Sequence, residues 1–445
     1  MLVAKPDRLV NRVTVALLAA IGLVIAGWAL TRPAPTPAVQ PALGELIDAA
    51  AGRAGSSTDG RIAEQQARLR AHPGDPVALS QLGALYLQKA RETADPTYYQ
   101  KAQAALEQAD QLAPGDYASV TKLGELALAR HAFATALALG ERARDLNPHR
   151  AAAFGVIADA QIELGRYAEA AETLQAMVDL RPDLSSYSRI AYLRELHGDW
   201  DGALEAMQMA VDAGGPATEN TLWTRVQLGH LHFNRGRMDE AEAEYRRCRE
   251  LDTHYAPALA ALARVAAARG EYAEAIQLYS QAVEQTPLPE YVIALGEVYI
   301  AAGRPAEAEK TFALVRAIDQ LYRANGVNTD LELALFLADH GDPAEAVDRA
   351  RQAYAERPTV FAADVLAWAL YQAGQPQAAW PYAQEALRLG SQDALKHFHA
   401  GMIVARLGRP EAQALLQRAL DLNPYFSPLH AMTARQTVQT LIPTP

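Results

Sequence analysis

The sequence has very little cysteine and few aromatic residues. One cysteine, Cys248, in 445 residues excludes an intramolecular disulfide framework and any metal site built from several cysteines. Aromatic residues are only 7% of the chain, although half of its residues are hydrophobic. Much of the remainder is alanine, which is typical of closely packed helices rather than of sheets built from β-branched strands. At this length we expect several domains or an elongated array of repeats.

A basic excess is also missing. The formal net charge is −11 at pH 7, whereas a surface that binds nucleic acid normally shows as an excess of lysine and arginine. We therefore expect no nucleic-acid partner.

Catalytic and cofactor-binding motifs are absent from the sequence. It contains no GxxxxGK[ST] phosphate loop, no GxGxxG after a strand, no GxSxG nucleophile elbow and no HExxH zinc motif. The pairs His230/His232 and His397/His399 are each spaced by two residues, which on a helix turns the two side chains roughly 200° apart. Neither pair is expected to bind one metal ion. The chain is predicted to be a non-enzymatic protein with no cofactor and no metal.

The longest hydrophobic run lies near the amino terminus. Residues 13–30, VTVALLAAIGLVIAGWAL, carry no charge, and as a helix they would span roughly 27 Å at about 1.5 Å per residue, close to the thickness of a bilayer core. This length predicts a transmembrane helix. A cleaved signal peptide and a buried soluble helix are alternatives, although the small-residue cleavage site is weak. The proline-rich residues 31–44 would form an extended spacer after the helix.

The charges around this run predict its orientation. Three basic residues lie within residues 1–12, and only Arg32 closely follows the run. The positive-inside rule therefore places residues 1–12 in the cytoplasm. We expect a single-pass protein of the bacterial inner membrane whose remaining chain is extracytoplasmic.

A short phrase recurs through most of the chain. GRYAEAAETL begins at Gly165, and related forms begin at Gly236, Gly270 and Gly303. A period near 34 residues, with an insertion of about one helical turn, indicates a solenoid of helical hairpins. The glycines that precede the phrase, spaced by 33 to 38 residues, are Gly165, Gly198, Gly236, Gly270, Gly303, Gly341, Gly374 and Gly408.

Each repeat has the pattern of two helices joined at the glycine. In residues 151–182, Phe154 and Ile157 share one face of a helix that ends at Gly165, and a second helix ends at Pro182. A small residue follows seven of these glycines, at the place where the two helices approach most closely and a larger side chain would overpack the contact. These small residues are Ala170, Ala203, Ala241, Ala275, Ala308, Ala346 and Ala379.

The repeats resemble the tetratricopeptide repeat family, whose pattern is a large residue, Leu-Gly and Tyr in the first helix, then Ala, an aromatic residue, Ala and Pro in the second. The matching positions are Leu79, Leu82, Gly83 and Tyr86, then Val292, Leu295, Gly296 and Tyr299, and in a second helix Ala275, Tyr279, Ala282 and Pro287. The resemblance implies an all-α fold, a right-handed superhelical α-solenoid of about ten helical hairpins over residues 73–424.

The ends of such an array need caps, because a terminal hairpin would otherwise expose an apolar face. Residues 45–72 are predicted to form an N-terminal capping region. Ser427 and Pro428 are predicted to start a closing helix within residues 425–445, which would form the C-terminal cap and tail.

The resemblance also implies a concave groove, lined by the first helices, that binds a partner protein. A contiguous apolar strip near the C-terminus favours a partner helix or an extended hydrophobic segment, with Phe361, Trp368 and Phe398 as the main anchors. Alternatively, the closing helix folds back and covers this strip itself. The residues predicted to line the groove are Leu331, Leu335, Phe361, Val365, Trp368, Tyr371, Phe398 and Met402, with Trp223, His230 and Phe233 further toward the middle of the array.

These observations predict a membrane-tethered scaffold or adaptor that binds other proteins. An alternative is an accessory factor in envelope complex assembly, such as cytochrome c maturation, because residues 72–88, HPGDPVALSQLGALYLQ, resemble repeats of membrane-anchored haem-ligation accessory proteins. A third possibility, a repeat-containing enzyme, would need an additional domain of about 100 residues, and the array leaves no room for one.

Overall fold

The computed structural model of the protein describes residues 57–215 and 218–441, whose regular secondary structure is helical. The 22 described helices are α1 (Thr58–Ala71), α2 (Pro76–Thr93), α3 (Thr97–Leu112), α4 (Tyr117–Ala129), α5 (Phe133–Leu146), α6 (Ala151–Glu163), α7 (Tyr167–Leu180), α8 (Leu184–Leu196), α9 (Trp200–Asp212), α10 (Glu219–Asn234), α11 (Met238–Leu251), α12 (Ala256–Arg269), α13 (Tyr272–Gln285), α14 (Pro289–Ala301), α15 (Pro305–Ala324), α16 (Asp330–His340), α17 (Pro343–Glu356), α18 (Val360–Gln372), α19 (Pro376–Leu387), α20 (Ala394–Arg406), α21 (Glu411–Leu422) and α22 (His430–Leu441). The predicted all-α fold is confirmed.

Several predictions concern residues outside this described part. The cytoplasmic residues 1–12, the membrane segment 13–30, the spacer 31–44 and the start of the capping region all precede residue 57, and the last four residues of the tail follow residue 441. Among the described helices, none is both long enough and apolar enough to cross a membrane.

The helices pack as consecutive antiparallel pairs. From α2 with α3 to α20 with α21, each even-numbered helix forms a hairpin with the next helix, and each hairpin then packs on the one that follows. We call the tight connection within a hairpin its tip and the connection between two hairpins a loop. Helices α1 and α22 flank the ten hairpins, and α22 packs against the last one.

Small residues set the distance between the two helices of a hairpin. All seven alanines that follow the glycine tips are buried, as predicted from their place in the repeat. The glycines of the first helices serve the same contact from the other side. A Cβ on Gly296 would lie 2.1 Å from a ring carbon of Phe312, so only glycine lets this aromatic side chain pack flat against α14.

The closing helix starts with the predicted cap. The Ser427 hydroxyl accepts hydrogen bonds from the backbone amides of Leu429 and His430, at 3.1 and 2.9 Å. These are donors that the first turn of a helix leaves without an intrahelical acceptor. Helix α22 then begins at His430, two residues later than the proline suggested.

The array coils tightly enough to contact itself. Four of the five tips in the first half of the chain meet a loop almost 200 residues later, so about five hairpins complete one superhelical turn. The first tip instead meets the end of α15, where the Tyr322 hydroxyl donates to the carbonyl of Ala94 at 3.3 Å. We call this row of contacts the seam. Its pairs include the amide of Asn328 with the carbonyl of Arg130 (3.1 Å), the amide of Val360 with the hydroxyl of Tyr167 (3.0 Å), and the side-chain amide of Asn423 with the carbonyl of Phe233 (3.0 Å).

One seam residue adopts an unusual backbone conformation. His131 forms the tip between α4 and α5 with φ of 59°, in the left-handed region that glycine occupies at seven other tips. Its Nδ1 lies 2.7 Å from the carbonyl oxygen of Asn328 and must therefore carry the proton. Burial, partly opposed by Glu332, lowers the pKa of His131, so the ring is neutral at pH 7. The side chain thus ties the two superhelical turns together.

Candidate functional site

The predicted C-terminal strip lies on the first helices of three successive hairpins. Leu331 and Leu335 lie on α16, Trp368 on α18 and Phe398 on α20, and the Trp368 and Phe398 ring centroids are 5.7 Å apart. Tyr371 stacks on Trp368 at 4.9 Å. The remaining strip residues, Phe361 and Val365 on α18 and Met402 on α20, belong to the same hydrophobic core. The structure therefore brings the eight residues into one continuous cluster.

This strip is covered by the end of the chain. Phe426 and His430 place their rings 5.3 and 5.1 Å from the ring of Phe398, and the Thr437 hydroxyl lies 3.8 Å from the sulfur of Met402. Only 2% of Trp368 is exposed as a result. Of the two alternatives that the sequence leaves open for this strip, the structure has the one in which α22 folds back over it.

Polar groups fix the centre of the covered strip. The Trp368 indole donates a 2.8 Å hydrogen bond to Asp339 on α16, and the His430 ring lies 3.5 Å from the same carboxylate. His399 stacks on Trp368 at 4.1 Å and approaches Asp364 at 2.9 Å. Sequence reasoning missed the roles of Asp339, Asp364 and His399, although each lies within a first helix that is otherwise largely apolar.

The three predicted residues of the middle groove are buried within the array. Trp223, His230 and Phe233 all lie on α10, and the Arg264 guanidinium from α12 stacks 3.8 Å from the centre of the Phe233 ring. His230 Nδ1 is 2.8 Å from the Tyr245 hydroxyl. Burial, reinforced by the positive charge of Arg264, holds the pKa of His230 well below its usual range. These side chains connect α10, α11 and α12 rather than facing open solvent.

Buried polar pairs recur along the concave side. Arg189 on α8 donates to both carboxylate oxygens of Asp159 on α6, at 3.0 and 3.1 Å, and the two side chains are only 4% and 5% exposed. Burial raises the pKa of Asp159, and the positive charge of Arg189 opposes this rise. Between α14 and α16, Glu297 pairs with His340 and raises its pKa, although burial alone would lower it. The first helices are thus joined by charges as well as by apolar contacts.

A cluster of unsatisfied polar atoms lies where the first superhelical turn meets the second. Among the described residues, no hydrogen-bond partner reaches two guanidinium nitrogens of Arg91, one carboxylate oxygen of Glu219 or the hydroxyls of Tyr255 and Tyr291. Burial raises the pKa of Glu219, and the nearby Arg91 opposes this rise. Buried polar atoms of this kind are normally satisfied by water or by a bound polar group.

The single cysteine lies away from any reactive environment. Cys248 is buried in α11 with its thiol 3.4 Å from the carbonyl oxygen of Leu222, and burial raises its pKa to about 12. A thiol with this pKa is protonated at neutral pH and a poor nucleophile. Within the described ranges, no group of three or more His, Cys, Asp or Glu side chains is arranged to hold a metal ion.

The chain is similar to known proteins in sequence over part of its length and in structure at low identity. Cellulose synthase 1 operon protein C of Komagataeibacter xylinus is 30% identical over 267 residues, which are 56% of this chain but only 19% of that protein. Among solved structures, the APC/C hetero-tetramer Cut9–Hcn1 aligns over 89% of this chain and 95% of its own, at 14% identity and a TM-score of 0.38. A thermophilic TPR protein of Thermus thermophilus aligns over 46% and 100% respectively, at 20% identity and a TM-score of 0.38.

Sequence models of the repeat itself match several parts of the array. Three tetratricopeptide repeat models match residues 127–196 and 266–324, residues 220–286, and residues 365–425. These ranges include six of the eight glycines from which the period was counted, all except Gly198 and Gly341. With ten successive helical hairpins between α2 and α21, this chain belongs to the tetratricopeptide repeat family.

Proposed function

We propose that the protein is a scaffold that binds partner proteins without catalysis, a right-handed superhelix tethered to the bacterial inner membrane. Residues 13–30 would be the anchor, and the array would lie outside the cytoplasm. The family supports the binding of proteins in general, because tetratricopeptide hairpins offer extended surfaces to other chains. The uncharged run and its flanking basic residues support the tether.

The observation that carries this proposal is the position of α22. An amphipathic helix of this chain already lies on the strip of Trp368, Phe398 and Met402, so the surface has the shape and chemistry to accept a helix. We propose that a partner presents a similar amphipathic helix with an aromatic or histidine side chain in the place of His430. In the free protein α22 occupies the site, and the partner displaces it.

The residues of α22 explain how displacement is feasible. Only Ala431, Ala434 and Val438 of this twelve-residue helix are buried. Two of the three are alanines, which bury little apolar area, whereas a leucine or phenylalanine contributes about 1.5–3 kcal/mol when it is fully buried. A partner with larger side chains at these places would gain more from the strip than α22 does. The covalent attachment of α22, which gives it a high effective concentration, opposes this gain.

Removal of α22 tests the proposal directly. A chain that stops after Ser427 should bind a labelled peptide of residues 428–441, measured by fluorescence anisotropy, while the intact chain should bind the same peptide at least about tenfold more weakly. Met402→Glu in the shortened chain places a charge at the partly exposed edge of the strip and should weaken binding. A peptide carrying Val438→Asp is the matched control for the other side of the contact.

The outcomes separate a binding site from a simple end cap. If the shortened chain retains its helical circular dichroism but does not bind the peptide, the strip is not a helix receptor. If it unfolds and the peptide does not restore it, α22 is only part of the core. Two experiments in intact cells test the partner and the topology. A photo-crosslinker at Tyr371 should capture a partner protein. A protease added from the periplasmic side should cleave the array.

The sequence relative supports a narrower second candidate. By its name, Cellulose synthase 1 operon protein C belongs to a cellulose synthase operon, and the present chain matches 19% of its length. We propose as an alternative that this chain organises an envelope assembly which makes or exports polysaccharide. Deletion of its gene should then reduce cell-surface glucan stained with a β-glucan dye, and unchanged glucan would remove this candidate. Cytochrome c maturation, the other envelope process considered, predicts loss of haem-stained cytochromes instead.

A further inference from the structure

The seam leaves two rims of the superhelix uncovered. The loops of the last hairpins hydrogen-bond to tips of the first hairpins, and among the described residues no such tip-to-loop hydrogen bond is seen at the loops of the first five hairpins or at the tips of the last five. We call the first set the free loop rim and the second set the free tip rim. At Gly270, Gly303, Gly374 and Gly408 of the free tip rim, an added Cβ would meet no atom within 4 Å.

One tetrapeptide occurs both in the seam and on the free loop rim. Asp-Leu-Asn-Pro occupies residues 145–148 and again residues 421–424. Both copies have the same local conformation, because the asparagine Oδ1 accepts a hydrogen bond from the amide two residues later, at 3.2 Å for Asn147 and 2.8 Å for Asn423. The two sites therefore present the same groups in the same local arrangement.

The two copies differ in burial. In the seam, the Asn423 side-chain amide donates to the carbonyl of Phe233, and Leu422 is 4% exposed. On the free loop rim, Leu146 is 42% exposed, and among the described residues no tip carbonyl reaches Asn147. The buried copy shows what kind of surface the exposed copy is built to meet: the tips of tetratricopeptide hairpins of this same chain.

Leu146 belongs to a row of exposed leucines. Leu112, Leu180 and Leu251 end the second helices of three other hairpins in the first half of the array, and they are 49%, 39% and 52% exposed. Because these leucines recur at the same place in the repeat, they lie along one edge of the array. Such an edge is typical of a surface that another molecule covers.

We propose that the free loop rim of one copy of this chain docks on the free tip rim of a second copy, so that the seam within one molecule continues between molecules. The occupant is a second copy rather than another partner because the intramolecular seam already joins these two kinds of surface. The contact uses different surfaces on the two copies, so it is heterologous and leaves a free rim at each end, and it extends into head-to-tail stacks. This inference does not depend on the proposed α22 site.

Sedimentation equilibrium on the detergent-solubilised full chain tests the association. Its mass should rise with concentration, and the variant Leu146→Glu/Leu180→Glu should weaken the association constant at least about tenfold, since each substitution places a charge at the apolar edge. Leu314→Glu changes a leucine of 49% exposure on α15, away from both rims, and should leave association unchanged. A wild-type chain that stays monomeric at all concentrations, or equal weakening by Leu314→Glu, would overturn the inference.

Crosslinking identifies which surfaces meet. In the seam each loop meets the tip of the hairpin five places earlier, so the loop at Asn147 of one copy should meet the tip at Gly303 of the other. A chain with Asn147→Cys and a separate chain with Arg304→Cys, mixed with a bifunctional maleimide, should therefore give a crosslinked heterodimer. Two copies of the Arg304→Cys chain should not crosslink to each other. The buried Cys248 does not compete. Crosslinking of tip to tip contradicts the head-to-tail arrangement. In a chain that carries both Asn147→Cys and Ala49→Cys, a crosslink within one molecule would show that the N-terminal segment covers the free loop rim. This result would overturn the proposal.

Discussion

Arg189 donates two hydrogen bonds to Asp159 across the space between α8 and α6, and neither side chain is more than 5% exposed. The arginine also fills the space beside Gly155, where a Cβ would lie 2.8 Å from a guanidinium nitrogen. Gly155 and Asp159 are four residues apart on one helix face. Gly155 leaves space for the Arg189 side chain, and Asp159 binds its guanidinium. The Asp159–Arg189 pair therefore connects two neighbouring hairpins.

Removing one partner of this pair should lower the free energy of unfolding more than removing both charges. Asp159→Ala leaves Arg189 buried without its counter-ion and should lower the free energy of unfolding by about 3–5 kcal/mol. The double variant Asp159→Leu/Arg189→Met removes the desolvated charges and should be closer to the wild type. Urea denaturation followed by circular dichroism measures both. Additive losses in the double variant would show that the two residues do not act as a pair.

The seam residue His131 allows a direct test of backbone strain. Its φ of 59° suits glycine, so His131→Gly should be more stable than His131→Ala by about 1 kcal/mol, although both variants lose the imidazole and its contact with Asn328. Their difference therefore isolates the backbone term. Thermal melts of the two proteins at pH 7 give the comparison. Equal midpoints would mean that the tip relaxes to an ordinary conformation when the side chain is removed.

The position of His131 also shows what the repeat period can and cannot predict. Counting back 34 residues from Gly165 reaches His131, so the period marks this tip even though it has no glycine. Polar residues about one repeat apart within apolar first helices, for example Asp364 and His399, are a signal from which the buried pairs could have been found, although sequence reasoning missed them. The ten hairpins and the alanine contacts thus follow from local pattern.

The seam and the covered strip could not be predicted in this way. The seam joins residues almost 200 positions apart largely through backbone groups, such as the Asn328 amide and the Arg130 carbonyl, and backbone groups leave no side-chain pattern. The strip residues were correctly placed on neighbouring first helices. Whether they face a groove depends on where α22 lies, and the period gives no information beyond the last hairpin.

A pH prediction follows from His397. Its ring Nε2 lies 3.1 Å from the carbonyl oxygen of Ser391, and burial lowers its pKa to about 4. Unfolding returns the pKa to about 6.5, so below that pH the unfolded state binds a proton that the folded state does not. The contribution of His397 to the free energy of unfolding is therefore fully present above pH 6.5. It is lost as the pH falls toward 4, and the whole loss is about 3 kcal/mol.

His397→Gln keeps a donor near the Ser391 carbonyl but cannot be protonated. In urea melts at pH 7, 5.5 and 4.5, its free energy of unfolding should fall less steeply with acid than that of the wild type. The same substitution at the exposed His72 is the control and should leave the pH dependence unchanged. Parallel curves for His397→Gln and the wild type would show that His397 is protonated equally in the folded and unfolded states.

The final prediction concerns two glycines with the same backbone conformation and different surroundings. Gly198 and Gly374 are both hairpin tips with φ of 75°. A Cβ on Gly374 would meet nothing within 4 Å, whereas a Cβ on Gly198 would lie 2.4 Å from the carbonyl oxygen of Gly390 in the next superhelical turn. Alanine at either position has the same conformational penalty, so any difference between the two variants reports the contact across the seam.

Gly198→Ala should lower the free energy of unfolding by about 1–3 kcal/mol more than Gly374→Ala, because the backbone at Gly390 must move away from the added methyl group. The displacement should spread along the seam, since adjacent contacts share the same two rows of tips and loops. Hydrogen exchange then distinguishes the variants: the Asn328 amide, which donates to Arg130 across the seam, should lose protection in Gly198→Ala and keep it in Gly374→Ala. Equal protection in both variants would mean that the two superhelical turns are not packed against each other in solution.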